Sequence, residues 1–394
     1  MSDCIPSFPQ DLIIDILVRL PVKSIGRFRC VSKPWRSLLS DPLFIKLHRA
    51  YHLHDPESLI LTDSYAPDNF PLVITFAPDS TSENIYNGVT RKIISPLLQE
   101  KDNWQLNKWA KSMWPLKKWT NDKRKQIEWI EVIGSCHGLV LLINEKHTKF
   151  LMNPITLEGV KIPKFSLSLD PSGHLIVHGL GYDGTNDDYK VVTLSIRFRD
   201  VSSDDGRTVV DIYSVKTKTW KRSANSHYYP LGMSRDSGVF VNGCVHWLAR
   251  DERGSCYDPF IAGFDLAQEK FQKVPHPKVF DDSFLCGDLT VIGGCLTLIV
   301  YIDHDKFGIW MMKDYGLQDS WTKFTILNGY MCSVSVACQL KDDEFVLVKN
   351  DKMVVHTLSN GSRRDMEVAD APSLYGYRKT AFKESLLSPN YKPD

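Results

Sequence analysis

The chain has 394 residues, 43% hydrophobic and 24% charged, with a formal net charge of +1. That length allows a small module beside one large domain, and the balanced charge argues against a general polyanion binder. No apolar run reaches the roughly 18 residues of a membrane span, and Met1-Ser2-Asp3-Cys4 carries no basic stretch, so neither span nor signal peptide is expected. Nine cysteines, without a C-x-x-C pair, fit neither a zinc ribbon nor a disulfide framework, which predicts a reduced compartment, cytoplasmic and/or nuclear.

The first predicted elements are helices. Phe8, Leu12, Ile13, Ile16, Leu17 and Leu20 recur at helical spacing. Pro9 suits a first helical position, while Asp11 and Asp15 favour the positive end of the helix dipole. Pro21 stops this helix and opens the next. A third follows Pro34 with Trp35, Leu38 and Leu39 on one side; a fourth follows Asp41-Pro42 and carries Phe44, Ile45 and Leu47. A unit of about forty residues is too small to sustain its own core, so it is predicted to dock on something.

The run from Phe8 to His48, with Leu20-Pro21-Val22-Lys23-Ser24, Arg27-Phe28-Arg29-Cys30-Val31-Ser32-Lys33 and Ser40-Asp41-Pro42, resembles an F-box. Residues 5–50 are therefore expected to form an F-box domain of three to four short helices. Phe8 replaces the usual Leu, Asp15 the usual Glu, and Gly26 sits where helix is expected. The resemblance implies docking on the Skp-type adaptor of a cullin–RING (SCF) ubiquitin ligase. By position in the motif, its contacts would be Phe8, Pro9, Leu12, Ile16, Leu20, Pro21, Val31, Ser32, Lys33 and Trp35.

After residue 50 the period changes from 3.6 to 2. Strands are predicted at 58–62, 139–143, 189–196, 209–213, 238–241, 244–248, 260–264, 296–301, 307–312 and 344–348. Turn signals separate them, among them Asn153-Pro154, Asp183-Gly184, Asn242-Gly243 and Gly293-Gly294. So many strands mean a sandwich, barrel or propeller, and at roughly 50 residues per kelch-like blade the length fits six or seven blades. A charged stretch ending in Trp220, Phe271 or Trp321 recurs after strands, as an aromatic that closes the outer strands of a blade would. Gly134-Ser135-Cys136-His137-Gly138, Asn153-Pro154, Gly179-Leu180-Gly181-Tyr182-Asp183, Val241-Asn242-Gly243, Trp310 to Gly316 and Glu384 to Pro389 occur in order. Together they resemble the F-box-associated, kelch-like domain of plant F-box proteins, the group that includes S-locus F-box members. The resemblance covers residues 57–389 and implies an all-β, kelch-like β-propeller that presents loops to a protein substrate.

Four patterns suggest chemistry. Gly179 to Gly184 spells G-x-G-x-x-G, but a dinucleotide site needs a helix after the glycines, and Tyr189 to Phe198 alternates as a strand. Cys136 sits in a nucleophile-elbow-like run that leads into a strand rather than a helix, which favours an inward-packed thiol in a glycine-rich turn. His48, His52 and His54 lack the companions of a metal site and read as solvated linker residues. Residues 101–131 hold five tryptophans among eight basic residues. A spacing of five gives no continuous stacking platform, and four acids dilute the charge, so nucleic acid is disfavoured. Trp104, Trp109, Trp114 and Trp119 are instead candidates for substrate contact or for an outer-blade insertion.

The resulting expectation is a non-catalytic substrate receptor without cofactor or metal, with an unidentified protein target and, through the adaptor, cullin and RING partners. A non-degradative adaptor-bound scaffold is the alternative. A propeller metal oxidase is the enzymatic rival, and it would need convergent Tyr, His and Cys.

Overall fold

A computed structural model describes residues 9–63, 71–79, 82–93, 130–144, 146–165, 174–197, 208–223, 226–231, 237–251, 259–277, 287–303, 306–328, 334–341, 343–349, 352–366, 368–369 and 377–390. Four helices come first: α1 (Gln10–Val18), α2 (Val22–Phe28), α3 (Lys33–Leu39) and α4 (Pro42–Tyr51). Pro9 and Pro21 stand at the caps of α1 and α2. Ser32 Oγ accepts from the Trp35 amide at 3.3 Å, and Asp41 Oδ1 from the Leu43 and Phe44 amides at 2.7 and 3.2 Å. Each fills donors that a helix start leaves open.

The expectation of solvated linker histidines fails for two of the three. His48 is buried and its Nε2 donates to Leu20 O at 2.8 Å; His52 Nε2 donates to Val18 O at 2.9 Å. The two rings stack at 4.3 Å and tie α4 to carbonyls at the end of α1. Burial lowers the pKa of His48. Spacing alone could not show this, because the acceptors lie on another helix.

Among the described residues, the elements after α4 are strands, apart from one 3-10 turn at Gln318–Ser320. The strands are β1 (Ser58–Asp63), β2 (Leu72–Asp79), β3 (Ser82–Lys92), β4 (Ile130–Cys136), β5 (Leu139–Asn144), β6 (Lys149–Met152) and β7 (Gly159–Ile162). They continue with β8 (His174–Asp183), β9 (Asp188–Arg197), β10 (Val209–Ser214), β11 (Thr219–Arg222), β12 (Tyr228–Pro230), β13 (Ser237–Val241), β14 (Cys244–Asp251), β15 (Phe260–Asp265) and β16 (Lys270–Val274). Last come β17 (Gly287–Ile292), β18 (Cys295–Asp303), β19 (Lys306–Met312), β20 (Trp321–Asn328), β21 (Val334–Lys341), β22 (Glu344–Lys349), β23 (Lys352–Thr357), β24 (Arg363–Met366), β25 (Val368–Ala369) and β26 (Tyr377–Phe382). Antiparallel pairing groups them as β4–β7, β8–β11, β13–β16, β17–β20 and β21–β24, with β26 completing β1–β3. The innermost strands β26, β4, β8, β13, β17 and β21 neighbour one another in sequence around a ring. This is a β-propeller with six four-stranded units among the described residues, the lower of the two expected counts.

Three devices hold the ring. β26 pairs with β1 from Ser58↔Phe382 to Asp63↔Tyr377, so the last strand closes the first blade. β8 and β13 of adjacent blades meet as parallel strands at Gly179↔Gly238, where the missing side chains matter: a Cβ on Gly238 would lie 2.5 Å from Trp247 Cε2. On the rim, Trp220 Nε1 donates to Pro163 O at 2.6 Å and Trp321 Nε1 to Pro275 O at 2.7 Å. Each tryptophan opens or lies in a fourth strand and grips the residue that follows the previous blade's fourth strand. Trp220 and Trp321 therefore latch neighbouring blades together, while Trp220 also packs on Tyr213 at 5.2 Å and Phe271 on Phe264 at 4.9 Å within their own blades.

Turn chemistry follows the sequence at Asn242-Gly243, whose φ values of 49° and 76° suit a type I′ turn. At Asp183-Gly184 the side chain makes the turn instead: Asp183 Oδ1 accepts from the Thr185 and Asn186 amides at 3.0 and 3.2 Å.

Two glycines give opposite predictions. Gly26 lies in α2 with nothing within 4 Å of an added Cβ, so Gly26→Ala should stabilise the chain by about 0.5–1 kcal/mol. Gly138 has φ +88° and its Cβ would run into Ser385 and lie 2.7 Å from Lys383 O, so Gly138→Ala should cost about 3 kcal/mol. Thermal melts of both variants check the sign and size of each change.

Candidate functional site

Large apolar side chains lie exposed chiefly on the helices. Leu12, Ile16, Val31, Leu43, Leu47, Tyr51 and Leu53 are exposed there, against Val89, Leu157 and Leu317 in the ring, among the described residues. Such clustering on a small module marks a surface awaiting a partner. α1 explains how it arises. Leu17 is buried, Ile13 and Ile14 are half-buried, and Leu12 and Ile16, one turn apart, remain 51% and 56% exposed. Asp15 and Arg19 pair at 2.9 Å on the same exposed side.

Of the adaptor-contact candidates, Pro9, Leu12, Ile16, Pro21, Val31, Ser32 and Lys33 are exposed, with Val31 at 66%. Leu20 and Trp35 are half-buried, Trp35 edge-on to Phe28 at 5.5 Å, and so support the helices more than they face outward. Phe8 lies outside the described residues. The α4 stripe Leu43, Leu47 and Tyr51 was absent from the candidates, although its spacing of four was visible in the sequence.

Strand direction gives the ring two unlike ends. Turns 137–138, 184–187 and 242–243 lie at the end that meets the helices, where Lys46 contacts Asp187 at 3.1 Å and β13 runs parallel to β8. The longer connections 94–129, 166–173, 198–207 and 252–258 leave from the opposite end and lie outside the described residues. Trp104, Trp109, Trp114 and Trp119 fall in the first of these, joining Ile93 to Ile130.

The chemistry-like motifs resolve as packing. Gly179 and Gly181 lie within β8 and are followed by a turn and β9, with no helix to receive a phosphate. A Cβ on Gly181 would lie 2.6 Å from both Leu266 Cδ1 and Phe240 Cδ2, so this glycine admits a neighbouring blade. Cys136 ends β4 before a tight turn, is buried, and burial drives its pKa upward, the reverse of an activated nucleophile. His137 Nδ1 lies 3.1 Å from Tyr189 Oη, and burial followed by the Arg49 charge holds its pKa at about 3.

One convergent Cys, His and Tyr group does exist. His246 Nδ1 donates to Val239 O at 3.2 Å, which leaves Nε2 to accept from the Tyr315 hydroxyl at 2.7 Å. Gln272 Nε2 reaches Tyr315 Oη at 3.5 Å and Cys244 Sγ at 3.4 Å. Burial holds the His246 pKa at about 4, so the neutral ring suits its two bonds. The network is closed on itself and fixes the 313–316 turn against β14 and β16. No three His, Cys, Asp or Glu side chains converge among the described residues. No described helix is long and apolar enough to cross a membrane.

Comparison with known proteins adds the family. Residues 5–47 match the F-box domain, and residues 99–381 match the F-box associated beta propeller domain. The chain is similar to the F-box protein CPR1 of Arabidopsis thaliana, with 30% identity over 94% of this chain and 86% of the relative. It is also similar to an F-box/kelch-repeat protein of the same plant, with 26% identity over 98% and 96% of the two chains.

The buried histidines set a pH dependence. Folded His137 and His246 titrate at about 3 and about 4, whereas an unfolded histidine titrates near 6.5. The unfolded chain therefore binds more protons between those values, and stability present above about pH 6.5 is lost as pH falls. From pH 7 to pH 5 each histidine should remove about 2 kcal/mol. Thermal midpoints measured from pH 8 to pH 5 should fall by several degrees, and a flat profile would contradict the buried neutral rings.

Proposed function

We propose a substrate-receptor role in an SCF ubiquitin ligase for this chain, which belongs to the F-box proteins that carry an F-box associated beta propeller domain. An F-box implies binding to a Skp-type adaptor, and the exposed apolar side chains of α1 and of the turn before α3 are what such a partner would cover. That observation carries the reading: Leu12, Ile16 and Val31, with Leu43, Leu47 and Tyr51 of α4, face solvent, while Leu17, Val22, Ile25, Leu39, Phe44 and Ile45 of the same module are packed. At roughly 1.5–3 kcal/mol per fully buried side chain, a few of them offset the costs of association.

The propeller would hold a target protein at the end away from the helices, and the adaptor would link it to cullin and RING subunits. Ubiquitin transfer to a target lysine would be carried out by those partners, with the receptor supplying proximity. Proteasomal degradation of the target and action in the cytoplasm or nucleus belong to the same proposal. Support for the presenting end comes from the contrast between tight turns beside the helices and long connections opposite, since loops on a rigid scaffold commonly carry recognition.

The test is co-purification of the full chain with a Skp-type adaptor. Leu12→Asp with Ile16→Asp changes exposed residues and should leave the melt within a few degrees while weakening adaptor binding at least 100-fold. Binding unchanged by both substitutions would remove α1 from the interface. Failure of the unaltered, folded chain to bind would sink the ligase role itself.

A further inference from the structure

Three motifs of the ring are not used by the function proposed above: the Gly134–Gly138 hairpin, Asn153-Pro154 and the tail from Glu384 to Pro389. The structure brings all three together beneath the helices. Buried Asn153 donates from Nδ2 to Ser385 O at 2.9 Å and Leu387 O at 2.8 Å, while its Oδ1 accepts from the Ile155 amide at 2.8 Å. Gly138, at φ +88°, leaves room for Ser385 against the hairpin. The tail is thus fixed to the second blade by contacts in which no helix takes part.

The helices rest on this platform. Arg29 Nη2 donates to Leu386 O at 3.3 Å while Nε and Nη2 hold Leu39 O at 3.1 and 2.8 Å. Leu17, Val22, Ile25, Leu39, Phe44 and Ile45 share one buried cluster with Cys136, Leu139, Leu386 and Leu387. Lys23 faces Glu384 at 3.7 Å and Lys46 faces Asp187 at 3.1 Å, both near the surface, where such pairs contribute little. Arg49 Nη1 donates to Tyr189 Oη at 3.3 Å, and the same hydroxyl is hydrogen-bonded to His137 Nδ1 at 3.1 Å. Tyr182 and Phe240 meet the His137 ring edge-on at 5.1 and 6.0 Å. This chain of bonds crosses from α4 to two blades beside the buried apolar cluster, where an unmade bond is costly.

We infer that Arg49, Tyr189 and His137 are positioning residues that lock the helices onto the ring, so that the adaptor-binding and target-binding ends of the chain move as one rigid body. The lock itself is independent of the receptor role; what the fixed angle is used for rests on that role. A fixed angle limits which lysines the ligase's charged enzyme can reach. Loss of the lock leaves the helical unit seated mainly by the apolar cluster and the Arg29 bond, free to shift on the ring.

The experiment uses the full chain, alone and with a Skp-type adaptor. A zero-length carbodiimide couples amines to carboxylates already in contact, and mass spectrometry reads Lys46–Asp187 and Lys23–Glu384 across the seam. Lys221–Glu269, at 2.6 Å within the ring, is the internal control. Both seam couplings should form in the unaltered chain. They should fall at least threefold in Arg49→Met and in Tyr189→Phe, with the control and adaptor co-purification unchanged. In a reconstituted ligase with ubiquitin as probe, the self-modified lysines should spread from a restricted set to a broader one. Tyr189→Phe keeps the ring's volume, so the fold survives the test even if Arg49→Met weakens it. Seam couplings absent from the unaltered chain while the control forms, or couplings and lysine set unchanged in Tyr189→Phe, would overturn the lock. Seam couplings that form in a chain that binds no adaptor would uphold the lock and defeat the receptor role.

Discussion

The ladder between β1 and β26 is the constraint on which the rest of this structure depends. Each blade touches only its neighbours, so a chain of blades has two open faces until its ends are joined. Six paired positions, Ser58↔Phe382 to Asp63↔Tyr377, join them. The same ladder places residue 58 and residue 382 side by side, so the helices that precede β1 and the tail that follows β26 meet at one spot at the helix-facing end of the ring. Without that pairing neither the seat for the helices nor the bonds from Arg29 to Leu386 would exist.

Closure also explains the distribution of special residues. Gly179 and Gly238 allow innermost strands to approach, and Trp220 and Trp321 hold the outermost strands to the preceding blade. The polar groups buried between blades are matched in the same economical way. Lys190 Nζ meets Asp183 at 2.9 Å and Leu266 O at 2.7 Å, bridging the third and fourth blades. His246 and Tyr315 do the same between the fourth and fifth. These two interfaces therefore combine an apolar contact with a small polar one, which fixes register as well as adding stability.

Local pattern was enough to read the helices and ten of the 26 strands among the described residues. The caps at Ser32 and Asp41, the prolines at 9, 21, 34 and 42, and the alternation from Tyr189 onward all act within a few residues of themselves. The Asn242-Gly243 hairpin was legible for the same reason. The seam was not. Arg49, His137, Tyr189 and Leu386 are scattered over more than three hundred positions, and no local spacing announces that ring closure brings them together. His48 and His52 were misread because their acceptors, Leu20 O and Val18 O, belong to a different helix. The candidate contact face was legible as a family motif, but only the structure separates exposed Leu12 and Ile16 from half-buried Leu20 and Trp35. The tryptophan-rich segment around Trp109 lies outside the described residues, so sequence remains its whole description.

The unlike ends of the ring have a consequence for how such a chain diversifies. Residues at the helix-facing end are tied into the seat or into tight turns with positive φ, so an insertion there would disturb several contacts at once. At the other end, lengthening a connection alters no ladder. The entropic cost of doubling a loop is only about 0.6 kcal/mol. A lineage can therefore rewrite that end while the seat of the helices stays untouched, and a protein engineer can graft new segments at the same places.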